Sequence, residues 1–299
     1  MLQQFNPKNK DLQVYIDGQL YHRDEAKVSV FDSVVQGGDA VWEGIRVYDG
    51  RIFCLDNHLE RMQNSAHALA FKEVPDSETI KKAVFQTLEA NGMRDGAHIR
   101  LTLTRGKKIT SGMDPRLNQF GCTLIVLAEW KPPVYPPSIT LITSSMRRNN
   151  PMFLDSKIHH NNLLNNILAK IEANHAGADA GIMLDKDGYV AEANGVNLFC
   201  IRKGVVCTPF ASSCLPGITR QTIIDLCEEK GIPVQEKNLS ITEFYIADEV
   251  FTTGTMGELT RVEEIDGRKI VNKYENSVLE VLEGHFRKLT ETQGTPLPF

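Results

Sequence analysis

The stretch Lys131-Pro132-Pro133-Val134-Tyr135-Pro136-Pro137 constrains this chain more than any other. Each proline removes a backbone donor and fixes φ, so neither a helix nor a central strand can run through it. The chain has 299 residues, too many for one small core. The expected organisation is an N-terminal α+β domain over residues 1–130, a linker over 131–137 and a larger C-terminal domain over 138–299.

Before the linker, strands alternate with helices. Gln13 to Ile16, then Asp17-Gly18, then Leu20-Tyr21 predict a hairpin, and Val47-Tyr48, Asp49-Gly50 and Ile52-Phe53 repeat the signal. Asp56 is placed to cap a helix whose apolar stripe is Leu59, Met62, Ala66 and Leu69. A second helix is expected from Glu78 to Ala90, ended by Gly92. From His98 to Thr104 apolar and polar residues alternate, and Thr123 to Ala128 predicts a buried strand. After the linker come a strand at Ile139 to Thr143, a helix over Asn161 to Leu168 and hairpins turned by Asp187-Gly188 and Lys203-Gly204. A further helix follows Pro216-Gly217-Ile218-Thr219. This mixed order predicts an α+β fold.

Composition removes several classes of function. The net charge of −5, without basic runs, argues against nucleic acid as a partner. No apolar run is long enough for a membrane span, and residues 1–7 lack the basic-then-apolar pattern of a signal peptide. Six cysteines without short paired spacings suggest neither a zinc site nor a disulfide framework, which fits a reducing cytoplasm. His159-His160 are adjacent, cannot share a helix face and have no third ligand nearby, so no metal site is expected.

Leu215-Pro216-Gly217-Ile218-Thr219-Arg220 is the most informative stretch. A glycine before a helix lets backbone approach a ligand closely. The first helical N–H groups have no internal partner and, with the dipole, form a phosphate site. Thr219 can add its hydroxyl to that site, or cap the helix. Thr252-Thr253-Gly254-Thr255-Met256-Gly257 suits a second anion contact or a plain turn. Lys157 could form an imine if desolvation or a cation such as Arg147 or Arg148 lowered its proton affinity; otherwise it is a solvated lysine. Glu192 is either an exposed strand residue or a carboxylate facing a cationic ring nitrogen. Arg46 and Arg100 could each grip a carboxylate, or lie on the surface.

Taken in order, several segments resemble the class IV aminotransferases, the pyridoxal 5′-phosphate (PLP) fold-type IV family. They are Val41-Trp42-Glu43-Gly44-Ile45-Arg46, His58-Leu59-Glu60-Arg61-Met62, Gly188-Tyr189-Val190-Ala191-Glu192, Asn197-Leu198-Phe199, Leu215 to Arg220, and Ala247 to Thr255. The resemblance implies a small α/β domain and a larger pseudo-barrel domain with PLP between them, usually in a homodimer. It also implies that Lys157 carries PLP as a Schiff base and shuttles the substrate α-proton, while Glu192 keeps the pyridine nitrogen protonated. Arg61, Leu215, Gly217, Ile218, Thr219 and Thr255 would surround the cofactor's phosphate end. Gly37, Arg46, His98, Arg100, Met256 and Gly257 would lie on the substrate side.

Three positions depart from the usual branched-chain pattern: Gly37 where an aromatic residue is common, His98 where tyrosine is, and Leu163 where Asn-Tyr-Leu is usual. The stretches Leu103-Thr104-Arg105-Gly106 and Thr110 to Pro115 are most similar to a branched-chain-aminotransferase-like subgroup. The leading expectation is transfer of the amino group of leucine, isoleucine or valine to 2-oxoglutarate. Transamination of D-amino acids, aminodeoxychorismate lyase activity and PLP binding without catalysis are the alternatives.

Overall fold

The computed structural model describes residues 3–299. Backbone contacts divide the chain into an N-terminal unit, residues 3–132, 158–162 and 290–299, and a C-terminal unit, residues 133–157 and 163–289.

In the N-terminal unit the elements are β1 (Gln13–Ile16), β2 (Gln19–His22), α1 (Ser33–Gly37), β3 (Ala40–Tyr48), β4 (Arg51–Ile52), α2 (Leu55–Ala68), α3 (Ser77–Ala90), β5 (Ala97–Thr104) and β6 (Thr123–Trp130). They form a seven-stranded sheet ordered Thr295–Pro296, β4, β3, β5, β6, β1, β2. The two expected hairpins turn at Asp17-Gly18 and Asp49-Gly50, where both residues of each pair have positive φ, the geometry that matches strand twist. The β3–β5 ladder runs from Ala40↔Thr104 to Val47↔Ala97. Val41, Ile45 and Val47 of β3 join Ile99, Leu101 and Leu103 of β5 in a core closed by Leu59 and Met62 of α2 and Ile80, Val84 and Leu88 of α3.

Two local expectations are corrected. Asp56 does not cap α2: the N-cap is Cys54, in the left-handed region with no side-chain cap bond. The helix starts earlier because Leu55 is buried, and Asp56 instead sits in the first turn, 2.8 Å from Lys81 Nζ. The helix expected from Asn161 begins only at Leu164. β4 is two residues long and leaves the start of β3 without a neighbour on that side. Residues 159–161 fill this edge, with Trp42 N–H donating to His159 O, Asn161 N–H donating to Ala40 O, and His160 paired to Val41.

The C-terminal unit contains β7 (Ser138–Arg147), α4 (Leu164–His175), β8 (Ala180–Leu184), β9 (Val190–Ala193), β10 (Asn197–Arg202), β11 (Val205–Thr208), α5 (Ile218–Glu229), β12 (Val234–Glu236), α6 (Ile241–Tyr245), β13 (Glu249–Gly254), β14 (Glu258–Ile265), β15 (Arg268–Lys269) and α7 (Val278–Thr292). Its sheet runs β12, β11, β10, β13, β14, β7, β8, β9, with β15 beside β14. The pairs β7–β14, β7–β8 and β11–β12 are parallel and the rest antiparallel. Ala193 N–H donates to Val196 O, which returns β9 to the start of β10 and curls the sheet on itself. Ile139, Leu141, Ile182, Leu198, Val250 and Val262 lie in its core. Both sheets are mixed with helices, as an α+β fold requires. Among the described residues no helix is long and apolar enough to cross a membrane.

One close approach is a test of the N-terminal sheet. Gly106 has φ +98°, and a Cβ there would lie 1.8 Å from Gly121 O. Gly106→Ala should lower unfolding free energy by about 2 kcal/mol or more, since left-handed strain adds to a backbone clash. A urea midpoint shift at unchanged slope would show it.

Candidate functional site

In the C-terminal unit the decisive group is a carboxylate inside a strand. Glu192 on β9 is only 5% exposed. Arg148, similarly buried just after β7, donates Nε to Glu192 Oε1 at 2.6 Å. Asn197 Nδ2 reaches Glu192 Oε2 at 3.1 Å and Leu215 O at 2.9 Å. The exposed-strand alternative for Glu192 is therefore excluded: a buried carboxylate persists because a guanidinium and an amide hold it.

Asn197 also defines the neighbouring anion-binding geometry. A Cβ on Gly217 would fall 2.0 Å from Asn197 Oδ1, so only glycine fits between this amide and the start of α5. Gly217 is the N-cap of α5 and makes no side-chain cap bond; Ile218 and Thr219 form the first turn, with Thr219 buried. Thr219 does not cap the helix, and the leading N–H groups are left for another acceptor. β13 pairs beside β10, with Thr253 opposite Asn197, and Thr255-Met256-Gly257 make the turn into β14. Thr253 Oγ1 is buried without a hydrogen-bond partner. Val134 N–H donates to Met256 O, and Gly257 lies against Tyr135, fixing the turn.

Lys157 lies in the same unit, exposed, with Nζ 3.7 Å from Asp155 Oδ1. Arg148, expected as a cation for Lys157, is instead engaged by Glu192. The buried Cys214 thiol links these groups electrostatically: burial, then Glu192, push it up to about 12, while Arg220, Arg148 and Lys157 oppose.

In the N-terminal unit Arg61 meets a carboxylate that the sequence reading gave no role. Glu43 is fully buried on the apolar side of β3. Its Oε1 accepts from Arg61 Nε at 2.8 Å and lies 3.0 Å from His159 Nδ1. Its Oε2 accepts from Arg61 Nη2 at 2.6 Å and lies 2.6 Å from His58 Nδ1. Burial opposes ionisation of Glu43, but His159 and Arg61 hold its carboxyl well below the usual range. Burial lowers His58 and His159 against the pull of Glu43. One permanent cation, Arg61, faces the carboxylate, and both imidazoles present Nδ1 to it.

The other face of the same ladder is electropositive. Arg46 lies opposite His98, and Arg100 opposite Gly44. Arg46 is 4% exposed and its Nε and Nη1 are buried without a hydrogen-bond partner, which removes the surface alternative for it. Arg100 sits 3.5 Å from the Trp42 ring centroid and donates Nη2 to Asn161 Oδ1 at 3.1 Å. Burial lowers Arg100 to about 10, still charged at neutral pH. Burial, followed by Lys131, Arg46 and Arg100, lowers His98 to about 3, so the imidazole is neutral. Gly37 is exposed at the end of α1, and Leu163 precedes α4 without capping it.

The family model for "Amino-transferase class IV" matches residues 40–265, a span that takes in β3, Glu192, α5 and the 255–257 turn. The chain belongs to this family. Among class IV relatives, branched-chain-amino-acid aminotransferase-like protein 1 of Arabidopsis thaliana is 56% identical over 294 residues, 98% of this chain and 53% of its own length. The chain thus spans about half the length of that relative and of its second Arabidopsis counterpart. The crystal structure of Escherichia coli branched-chain amino acid aminotransferase superposes with a TM-score of 0.89 at 31% identity, over 95% of this chain and 97% of that one. The T.th. enzyme of the same name, complexed with N-(5′-phosphopyridoxyl)-L-glutamate, gives 0.86 at 34% identity, over 94% and 95%.

Sequence reading missed the partners of two buried charges: Glu43, His58 and His159 around Arg61 in the N-terminal unit, and Asn197 beside Glu192 in the C-terminal unit. Glu43 did carry a signal, since it interrupts the apolar phase Val41, Ile45, Val47. His58 and Arg61 are three apart on one helix, the spacing that brings side chains together.

The lowered histidines make stability acid-sensitive. Below pH 6.5 an unfolded histidine binds a proton that folded His98 refuses until about pH 3, so the native state loses stability as pH falls through that window. Glu43 adds loss in the same direction at lower pH, because its folded carboxyl stays ionised below the range where the unfolded one protonates. Between pH 7 and pH 5, His98→Gln should flatten the decline in unfolding free energy by about 2 kcal/mol. Denaturation midpoints across that range read it directly.

Proposed function

We propose that this chain is a PLP-dependent aminotransferase that moves the amino group of branched-chain L-amino acids to 2-oxoglutarate. The observation that carries the reading is the buried Glu192–Arg148 pair joined through Asn197 to the uncapped start of α5. The donor set fits the cofactor: a buried carboxylate suits a cationic ring nitrogen, free helical N–H groups suit a phosphate, and the orphaned Thr253 hydroxyl suits a polar ligand.

When bound, PLP supplies an aldehyde that exchanges amines and a ring that takes up the electron pair released at the substrate α-carbon. Lys157 Nζ would hold the cofactor and, as a free amine, would take the substrate's α-proton. The Glu192 carboxylate would face the ring nitrogen, while Arg148 holds that carboxylate in place. Within the C-terminal unit, the backbone of Leu215, Gly217 and Ile218, with Thr219 and Thr255, would hold the phosphate. Met256 and Gly257 flank the substrate's α-carboxylate.

A dicarboxylate acceptor is supported by the face of Arg46 and Arg100. A buried guanidinium with unpaired N–H groups is costly unless an anion meets it, and neutral His98 beside it adds no competing charge. The branched-chain donor rests on the relatives' names. The outward Leu164, Ile167, Leu168 and Ile171 of α4 support a homodimer.

The test is a set of half-reactions with L-leucine, L-glutamate and D-alanine, followed by the loss of visible absorbance of the PLP-loaded protein. L-Leucine and L-glutamate should react and D-alanine should not; reaction with D-alanine alone would replace this reading with D-amino-acid transamination. Lys157→Ala should abolish every reaction. Arg46→Gln should raise the KM for 2-oxoglutarate about tenfold or more and leave the leucine half-reaction within about twofold.

A further inference from the structure

The hairpin of β10 and β11 brings together two thiols that transamination does not use. Cys200 and Cys207 stand directly opposite each other in its register, and of the six cysteines only these two lie on strands. Residues so paired share one face of the sheet and hold their Cα atoms about 4.5–5.5 Å apart, within the range that a disulfide spans. Lys203 and Gly204, both with positive φ, turn the hairpin. A two-residue turn makes Arg202↔Val205 a hydrogen-bonded pair, and alternation makes Cys200↔Cys207 the next of that kind. Ile201 between them turns its carbonyl the other way, accepting from Asp248 N–H.

The surroundings of the pair are those of a reactive dithiol. Both thiols are buried in the core cluster that holds Leu198, Leu239 and Phe244. Lys237 stands beside them: its backbone N–H donates to Thr208 O, next to Cys207, and its half-exposed Nζ lies 3.0 Å from Glu243 Oε1. Hydrogen bonding by Cys200 draws the Cys207 thiol below its usual range against burial, with Lys237 helping and Glu243 opposing. Hydrogen bonding to Cys207, then burial, holds Cys200 well above that range. The pair therefore gives up its first proton more readily than an isolated buried thiol, and Cys207 is the sulfur that carries the charge.

We infer that Cys200 and Cys207 form a redox-active dithiol, a modification site for hydrogen peroxide that closes to a reversible disulfide across the β10–β11 hairpin. The Cys207 thiolate attacks one peroxide oxygen; an S–O bond forms, the O–O bond breaks, and the departing hydroxide takes up a proton as water. Cys200 sulfur then attacks the Cys207 sulfenic acid; the S–S bond forms, the S–O bond breaks, and the second hydroxide leaves as water with the Cys200 proton. Two thiols lose two electrons and two protons, and one peroxide becomes two waters. This chemistry needs neither cofactor nor substrate. Reversibility follows from the register, because directly opposite Cβ atoms in a hydrogen-bonded pair lie near about 5.5 Å and a disulfide draws them to about 3.8 Å. Closing the bridge strains the hairpin, and a strained disulfide is readily reduced.

The full native chain, reduced and freed of reductant, would be treated with hydrogen peroxide, unfolded in N-ethylmaleimide and digested with trypsin. Cleavage after Arg202 and Lys203 separates the two cysteines, so only a disulfide keeps their peptides together. The expected product is a linked Cys200–Cys207 peptide pair lacking two hydrogens, formed about tenfold faster than any oxidation of the buried Cys214 or Cys227 and released by dithiothreitol. Cys200→Ala should stop the reaction at a Cys207 sulfenic acid that dimedone traps, and Lys237→Gln should slow closure about threefold. The peroxide dose is raised until the more exposed Cys54 or Cys122 reacts. Unlinked Cys200 and Cys207 at that dose, or a linkage no faster than oxidation of Cys214 and Cys227, would overturn the inference. Both of these outcomes are read on the wild-type protein and so stand even where a variant fails to fold.

Discussion

The ladder between β3 and β5 forces a separation of charge on which much of the N-terminal unit depends. Side chains alternate across a pleated strand, so one eight-residue register sends Val41, Glu43, Ile45 and Val47 to one face and Trp42, Arg46 and Tyr48 to the other. Neither face is fully wet. A carboxylate on the apolar face must bring its countercharge with it, and α2 supplies Arg61 and His58 at a spacing of one turn. On the opposite face Arg46 lies beside a neutral imidazole with Nε and Nη1 buried and without a hydrogen-bond partner. The same register that builds the core therefore decides which charges are satisfied internally and which are not. A slip of one residue would exchange the two sets.

The C-terminal unit solves a similar problem with different parts. Glu192 is buried like Glu43, but its partners are one guanidinium and one amide, and the amide is shared with the backbone at the start of α5. Asn197 thereby ties the orientation of a carboxylate to the position of a helix N-terminus, with Gly217 giving the clearance. Sites that must present a charge and a row of N–H groups at fixed separation gain from such a shared strut, because neither can shift without the other.

What was legible in the sequence was what short-range chemistry decides. The turns at Asp17-Gly18, Asp49-Gly50 and Lys203-Gly204 formed where two adjacent residues favour positive φ, and the strands either side followed. Gly217 before Ile218 marked the helix start, and the structure decided that Thr219 does not cap it. Asp56 was misread because a good capping residue lay one position inside a helix whose start was set by burial of Leu55. The start of α4 was misread for a longer-range reason: Asn161 has a helix-compatible neighbourhood, but the open edge of β3, more than a hundred residues earlier, claims it first. The Glu43 cluster draws on residues 43, 58, 61 and 159, and no window of sequence contains its last member. Its one local trace was a charge in the wrong phase of a strand.

The division of the chain also bears on how the molecule is made. The N-terminal unit is not finished by its first 132 residues: it borrows residues 158–162, and Thr295–Pro296 pair with β4 while Leu297 enters its core. A ribosome delivers those last residues after almost all of the other unit has emerged. The N-terminal sheet must wait with an open edge beside β4 and an incomplete core, so the usual order, in which the first domain folds while the second is still being synthesised, is not available to this chain.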